Sequence, residues 1–92
     1  MTKAIHLVIH GRVQGVGYRA WTGSVARKLG LKGWVRNRTE GTVEAVFIGD
    51  AKTIEHMVKH CHTGPMNARV DKIERGEWTD LSPSDFRQLP TV

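Results

Sequence analysis

The segment 11–19 combines three glycines with a terminal arginine, a pattern suited to holding an anion. The glycines allow the backbone to curl so that several N–H groups converge, and a helix beginning there adds partial positive charge. Arg19 would lie in the first turn of that helix, where its planar guanidinium can bind a phosphoryl or carboxylate group bidentately. A glycine turn followed by a surface arginine would show the same residues.

Three better-known phosphate loops do not fit this segment. Residues 15–20 match the dinucleotide fingerprint G-x-G-x-x-[GA], but that motif needs a parallel sheet and an acidic residue at the end of the second strand. The corresponding place holds Arg36, Asn37 and Arg38. A Walker A loop requires Gly-Lys followed by Ser or Thr, which is absent. A cysteine phosphatase loop would need its nucleophile at the position of Val13.

The segment between Gly11 and Arg19 contains no cysteine, serine, threonine, aspartate or histidine, so a covalent phosphoenzyme is not expected. The attacking group must then be water, with little acid–base help. A phosphate monoester would react very slowly in such a site, because its alkoxide is a poor leaving group. An acyl phosphate releases a carboxylate, whose conjugate acid has a pKa of roughly 4–5, so positioning and electrostatic stabilisation suffice.

Asn37 is a candidate for placing that water. Its amide cannot act as a base near neutral pH, but it offers one acceptor and two donor positions with which to orient a water molecule. An asparagine that ends a strand before a turn is also a common structural feature.

The alternation of strand and helix patterns predicts how these residues are positioned. A strand over about 5–10 leads into the glycine segment, and a helix follows that Gly30 would end. Two strands, 31–37 and 42–48, form a hairpin with a four-residue loop.

The second half predicts another helix and strand. Asp50 is the expected N-cap of a helix that ends before Gly64. Its apolar stripe, which makes Cys61 a core residue rather than a reactive thiol, consists of Ile54, Met57, Val58 and Cys61. A last strand over about 68–75 needs a bulge, since Val70 and Ile73 have opposite parity. In the tail, two prolines limit regular structure, and the expected anchors are Phe86 and Leu89.

The order β-α-β-β-α-β predicts an α+β fold, a ferredoxin-like sandwich of one four-stranded antiparallel sheet with two helices on one face. In this topology the loop after the first strand and the end of the second strand lie at the same edge. Residues 11–19 should therefore neighbour Arg36 and Asn37.

Length and charge bound the remaining possibilities. We expect the 92 residues to form a single domain, 1–92. The first 39 residues carry eight basic side chains and no acidic one, which favours an anionic partner, either nucleic acid or a small anion, although a solvated basic face is the simpler explanation. The chain has one cysteine, no signal-peptide pattern and no membrane-length apolar run, so a cytoplasmic location is expected.

Two segments together resemble the signatures of the acylphosphatase family: 11–19, and 33–37 followed by Gly41, Val43 and Gly49. The resemblance covers nearly the whole chain. It implies a ferredoxin-like fold, no metal or other cofactor, and hydrolysis of the carboxyl–phosphate bond of acyl phosphates to a carboxylate and inorganic phosphate. It also implies phosphate binding by Arg19 and water placement by Asn37. The backbone N–H groups that it implies in phosphate binding are those of Gln14, Gly15, Val16, Gly17 and Tyr18.

Two alternatives remain. A basic ferredoxin-like module could bind RNA without catalysis, but such domains display stacking aromatics on their central strands, and residues 42–48 offer only Phe47. A metal site at His56 and His60, with His62 nearby, lacks the glutamate of H-E-x-x-H and an obvious third ligand, which favours a solvated helix face. We therefore expect acyl phosphate and inorganic phosphate as partners, neither nucleic acid nor membrane, and a monomer.

Overall fold

A computed structural model describes residues 2–92, which form one five-stranded sheet and two helices. The strands are β1 (Thr2–Arg12), β2 (Lys32–Asn37), β3 (Val43–Asp50), β4 (Arg69–Glu77) and β5 (Phe86–Gln88), and the helices are α1 (Tyr18–Lys28) and α2 (Ala51–Thr63). The strand order is β4-β1-β3-β2-β5. β1 pairs antiparallel with β3 and β4, β2 pairs antiparallel with β3, and β5 runs parallel to β2.

The ferredoxin-like α+β prediction is confirmed, with one correction to the sheet. The sheet has five strands rather than four and is mixed rather than wholly antiparallel, because the tail adds β5 to the outer edge of β2. An edge strand presents unpaired N–H and C=O groups that another segment can satisfy. Here the Gly33 N–H donates to the Asp85 carbonyl (2.9 Å) and the Leu89 N–H donates to the Val35 carbonyl (2.9 Å). Phe86 buries its ring against Phe47 beneath them.

The main core lies between the sheet and the helices. Alternation along β1 places Ile5, Leu7 and Ile9 on the helix side, where all three are buried. α2 contributes Met57 and Cys61, which are also buried, so the prediction that Cys61 is a core residue is confirmed. A period of two on the strand and of 3.6 on the helix thus brings the apolar side chains into one layer.

The predicted bulge lies in β4. His10 pairs with Lys72 and Gly11 pairs with Val70, so Asp71 is an extra residue opposite one step of β1. The insertion shifts parity by one residue. Val70 and Ile73 therefore both pack against the main core despite their opposite parity in the sequence.

The opposite face of the sheet has a smaller cluster and an ion-pair network. Trp34 and Trp78 pack over Ala4, Val46 and Ile48. Beside them, the Glu44 carboxylate lies 2.6 Å from His6 Nε2 and accepts a hydrogen bond from Arg36 Nε at 2.7 Å. Glu44 is 8% exposed, so its charge is held by these two partners rather than by bulk water.

Glu44→Gln should destabilise the protein at neutral pH and reduce the loss of unfolding free energy that the parent shows at low pH. Burial raises the pKa of Glu44, but the hydrogen bonds and charges of His6 and Arg36 outweigh burial, so the pKa lies below its ordinary value of 4.5. A carboxylate with a lowered folded-state pKa contributes stability above its unfolded pKa and loses it as the pH falls through the folded pKa. We expect a loss of about 1–3 kcal/mol in the free energy of unfolding at pH 7.

Urea unfolding at pH 7 and at pH 3 measures this effect. The matched control is Glu40→Gln, because Glu40 forms an exposed ion pair with Arg38 at 3.0 Å, of a kind that contributes about 0–1 kcal/mol. The difference between parent and Glu44→Gln should shrink at pH 3. A difference that is equal at both pH values would contradict the ionic role of Glu44.

Candidate active site

The loop between β1 and α1 presents a run of unpaired backbone N–H groups. Gly15 and Gly17 have φ values of +73° and +78°, which glycine adopts without the penalty that a Cβ would bring. Gly17 is the N-cap of α1 and supplies no side-chain cap. Within residues 2–92, no backbone N–H from Gln14 to Ala20 donates to a protein acceptor. The loop and the first turn of α1 therefore offer backbone donors of the kind that bind anions at helix N-termini.

Arg19 lies in that first turn, is half-buried, and has no protein partner among the described residues. Of the eight arginines, only Arg12 and Arg19 lack a partner in residues 2–92, and Arg12 is exposed. The six others each hold a carboxylate or a carbonyl: Arg27 with Phe86, Arg36 with Glu44, Arg38 with Glu40, Arg69 with Asp71, Arg75 with Glu55 and Arg87 with Asp85. A half-buried cation without a counter-charge is typical of a position that can bind an anion.

A cavity of about 160 Å³ brings the loop, Arg19 and Asn37 together. Asn37 reaches it from the end of β2, as the topology predicts, whereas Arg36 points to the opposite face and lies over Trp34. Larger depressions of about 620 Å³ and 310 Å³ lie beside Trp78 and Trp34. Their arginines, Arg75 and Arg87, are already paired with carboxylates, so the smaller cavity is the better anion site.

The predicted phosphate-binding residues lie in the loop, but their side chains do different things. Gln14, Gly15, Gly17 and Tyr18 line the cavity, whereas Val16 packs against the main core. The Tyr18 ring is buried and its hydroxyl donates to the Cys61 carbonyl at 2.6 Å, so only its backbone is available to a ligand.

Gln14 links the loop to the β2–β3 hairpin. Its Nε2 donates to the carbonyls of Arg38 and Thr42, both at 2.8 Å. The chain end supports the other side of the hairpin, because the Val92 N–H donates to the Asn37 carbonyl at 3.2 Å. The backbone of Asn37 is thus fixed relative to the loop, while its side-chain amide has no partner within residues 2–92.

Comparison with known proteins identifies the family to which this site belongs. The acylphosphatase family model matches residues 5–88. The chain belongs to the acylphosphatase family. An acylphosphatase of Azorhizobium caulinodans is 57% identical over 74 residues, which is 80% of each chain. An acylphosphatase of Rhodospirillum rubrum is 52% identical over 90 residues, covering 98% of this chain and 99% of that one.

A solved acylphosphatase structure agrees with the fold. The enzyme from Coxiella burnetii superposes with a TM-score of 0.92 at 34% identity, over 96% of this chain and 93% of that one. The predicted resemblance is confirmed, and so is the prediction that the chain is an enzyme with acylphosphatase activity. The alternative of a non-catalytic RNA-binding module is not favoured.

One residue of the acylphosphatase-family cavity was missed by the sequence analysis. Gln88, on β5, lines the cavity with Asn37. Its only signal in the sequence is its parity with Phe86, since residues i and i+2 of a strand share a face. The two prolines of the tail favour irregular structure, so the sequence does not predict a strand there.

Other reactive side chains of this acylphosphatase-family member lie away from the cavity. Burial raises the pKa of the Cys61 thiol to about 12, so it stays protonated. His56, His60 and His62 are exposed on α2, and no three His, Cys, Asp or Glu side chains within residues 2–92 are grouped to hold a metal ion. Neither helix in the described part of the chain is long and apolar enough to cross a membrane.

Proposed function

We propose that the cavity hydrolyses acyl phosphates by direct attack of water on phosphorus, with Arg19 holding the phosphoryl group and Asn37 placing the water. The observation that carries the proposal is the half-buried, unpaired Arg19 in the first turn of α1, beside free loop N–H groups and facing a cavity that it shares with Asn37. Family membership supports acyl phosphates as the substrate class.

Binding uses the loop and the guanidinium together. Phosphoryl oxygens accept hydrogen bonds from the backbone N–H groups of residues 14–18, and the Arg19 fork donates two more to adjacent oxygens. These donors are fixed by the fold before substrate arrives, so little reorganisation is needed as the phosphoryl charge redistributes in the transition state. Gln14 helps to hold the loop in this shape through its contacts with the hairpin.

Hydrolysis then requires a placed water but no strong base. Phosphoryl transfer passes through a loose transition state in which the attacking and leaving oxygens are roughly in line with phosphorus. The Asn37 amide orients the water. The oxygen of the water bonds to phosphorus, and the bond from phosphorus to the carboxyl oxygen breaks. The products are a carboxylate and inorganic phosphate, and the proton lost by water passes to phosphate or solvent.

The side chains around the cavity favour acyl phosphates over ordinary monoesters. The lining includes no Asp, Glu, His, Lys or Cys that could protonate a leaving alkoxide. A carboxylate leaves without a proton because its conjugate acid has a pKa of roughly 4–5. Metal-independent turnover is part of the same proposal, since Arg19 and the loop N–H groups supply the positive charge that a cation would otherwise provide.

The proposal extends to the setting of the enzyme. Residues 1–92 act as one domain and as a monomer in the cytoplasm, with inorganic phosphate as product and inhibitor and without a nucleic acid or membrane partner.

Aromatic residues lie on the face of the sheet opposite the helices. Trp34 and Trp78 pack edge to face with ring centroids 5.9 Å apart, and His6 stacks on Trp78 at 5.3 Å. These rings are engaged with each other, which supports a packing role rather than base stacking.

Phosphate release across several acyl phosphates, with phenyl phosphate as the monoester control, tests the proposed function. A missing general acid commonly costs about 10²–10⁴ in rate, so phenyl phosphate should be slower than benzoyl phosphate by at least that factor. Exhaustive chelation should leave benzoyl phosphate hydrolysis unchanged. Loss of activity that a divalent ion restores would overturn metal independence, and equal rates on the monoester would overturn the leaving-group argument.

A further inference from the structure

Three polar side chains in the cavity have no protein partner within residues 2–92: Arg19, Asn37 and Gln88. The proposed function uses the first two. Gln88 belongs to β5, which is hydrogen-bonded to α1 and β2. Arg27 on α1 donates to the Phe86 carbonyl at 3.1 Å, and the Leu89 N–H donates to the Val35 carbonyl. Gln88 is exposed and lines the cavity from this hydrogen-bonded backbone.

The strand register places Asn37 and Gln88 diagonally across adjoining strands, on one face of the sheet. β5 runs parallel to β2, and Gln88 pairs with Val35, two residues before Asn37. Side chains two residues apart share a face, so Asn37 lies on the face of Val35, and Gln88 lies on the face of Phe86. Val35 and Phe86 are both buried on the helix side. Asn37 and Gln88 are therefore diagonal neighbours that face the same end of α1.

We propose that Gln88 is a second group that holds the attacking water, an inference that rests on the proposed function. A water that points a lone pair at phosphorus directs both hydrogens away from it, and each hydrogen needs an acceptor. The Asn37 side-chain oxygen can accept one hydrogen, and Gln88 Oε1, from the neighbouring strand, can accept the other.

In-line geometry separates this role from recognition of the acyl group. The leaving carboxylate departs on the side of phosphorus opposite to the water. In the proposed function Asn37 marks the water side, and Gln88, which pairs with Val35 two residues before Asn37, lines the same cavity. We therefore expect Gln88 to act on the side of the cavity away from the acyl group.

Steady-state kinetics of Gln88→Ala and Gln88→Met test the role, since methionine keeps the length of the side chain but removes its amide. A neutral hydrogen bond contributes about 0.5–1.5 kcal/mol, so kcat should fall about 2- to 12-fold in both variants. KM and inhibition by phosphate should stay at the parent values, and acetyl and benzoyl phosphate should be affected by the same factor. Arg87→Ala, on the same strand but facing the other side of the sheet, is the matched control and should keep the parent kcat.

A double-mutant cycle tests whether the two amides share one water. In an Asn37→Ala background, Gln88→Ala should lower kcat by a smaller factor than it does in the parent, because the water is already displaced. Parent-like Gln88 variants, a factor that depends on the acyl group, or full additivity with Asn37→Ala would each overturn the inference. If Asn37→Ala itself retained full activity, the proposed function would fail instead, so the two failures are distinguishable.

Discussion

Arg19→Gln is expected to remove most turnover and to weaken inhibition by inorganic phosphate. A charge-assisted hydrogen bond contributes about 1.5–3 kcal/mol in the ground state, so the phosphate inhibition constant should rise roughly 10- to 150-fold. The loss in kcat/KM should be larger, on the order of 10³-fold or more, because phosphoryl charge redistributes in the transition state beside a guanidinium with no competing partner. Benzoyl phosphate hydrolysis, with and without added phosphate, measures both quantities.

Arg12→Gln is the matched control for this substitution. Arg12 is the other arginine without a partner in residues 2–92, but it is exposed and does not line the cavity. The Arg12→Gln substitution removes the same charge near the same loop. It therefore separates the effect of direct contact with the phosphoryl group from long-range electrostatics. Because the Arg19 side chain supports no other residue, thermal unfolding of Arg19→Gln should match the parent. Unchanged phosphate inhibition in a folded Arg19→Gln protein would show that Arg19 does not bind the phosphoryl group.

Asn37→Ala should damage catalysis while sparing the bound complex. Asn37 carries no charge, and in the proposed role it contacts water rather than the phosphoryl group. Loss of one placed polar group in such a site commonly costs about 10²–10³ in kcat. KM and the phosphate inhibition constant should both stay within about threefold of the parent, the pattern of an interaction made only in the transition state.

Asn37→Asp sharpens the distinction between binding and chemistry. Aspartate can still accept a hydrogen bond from water, but it places a negative charge beside an anionic substrate, so binding should weaken as well. Asn67→Ala removes an exposed asparagine distant in sequence from β2 and should behave as the parent. An Asn37→Ala enzyme with parent kcat would leave the water without its guide and would refute the mechanism, although family membership would stand.

Much of this architecture could be predicted because periodicity and special residues act locally. The β1 alternation, the α2 stripe and the glycine loop follow from the preferences of a few neighbouring residues. The juxtaposition of Asn37 with the loop also followed, because the ferredoxin-like topology brings the end of one strand to the start of another. Even the β4 bulge was visible, since Val70 and Ile73 could share the core only if one residue were inserted between them.

The missed features depend on contacts between distant segments. β5 is only three residues long, and its stability comes from the open edge of β2 and from burial of Phe86 rather than from its own pattern. Gln88 lines the cavity because it lies on β5. Without a predicted strand in the tail, the position of Gln88 could not be predicted. The two hydrogen bonds from Gln14 to the hairpin likewise reach carbonyls 24 and 28 residues away, and the sequence offers no local signal for them.

Hydrolysis of benzoyl phosphate in water enriched in oxygen-18 tests the central claim most directly. Direct attack on phosphorus should place one labelled oxygen in each inorganic phosphate and none in benzoate, in the parent and in the residual activity of Asn37→Ala. The label incorporated by enzyme-free hydrolysis is measured in a parallel sample in the same labelled water and is subtracted. Label in benzoate would mean that water attacks the acyl carbon, and the roles assigned to Arg19 and Asn37 would then be wrong.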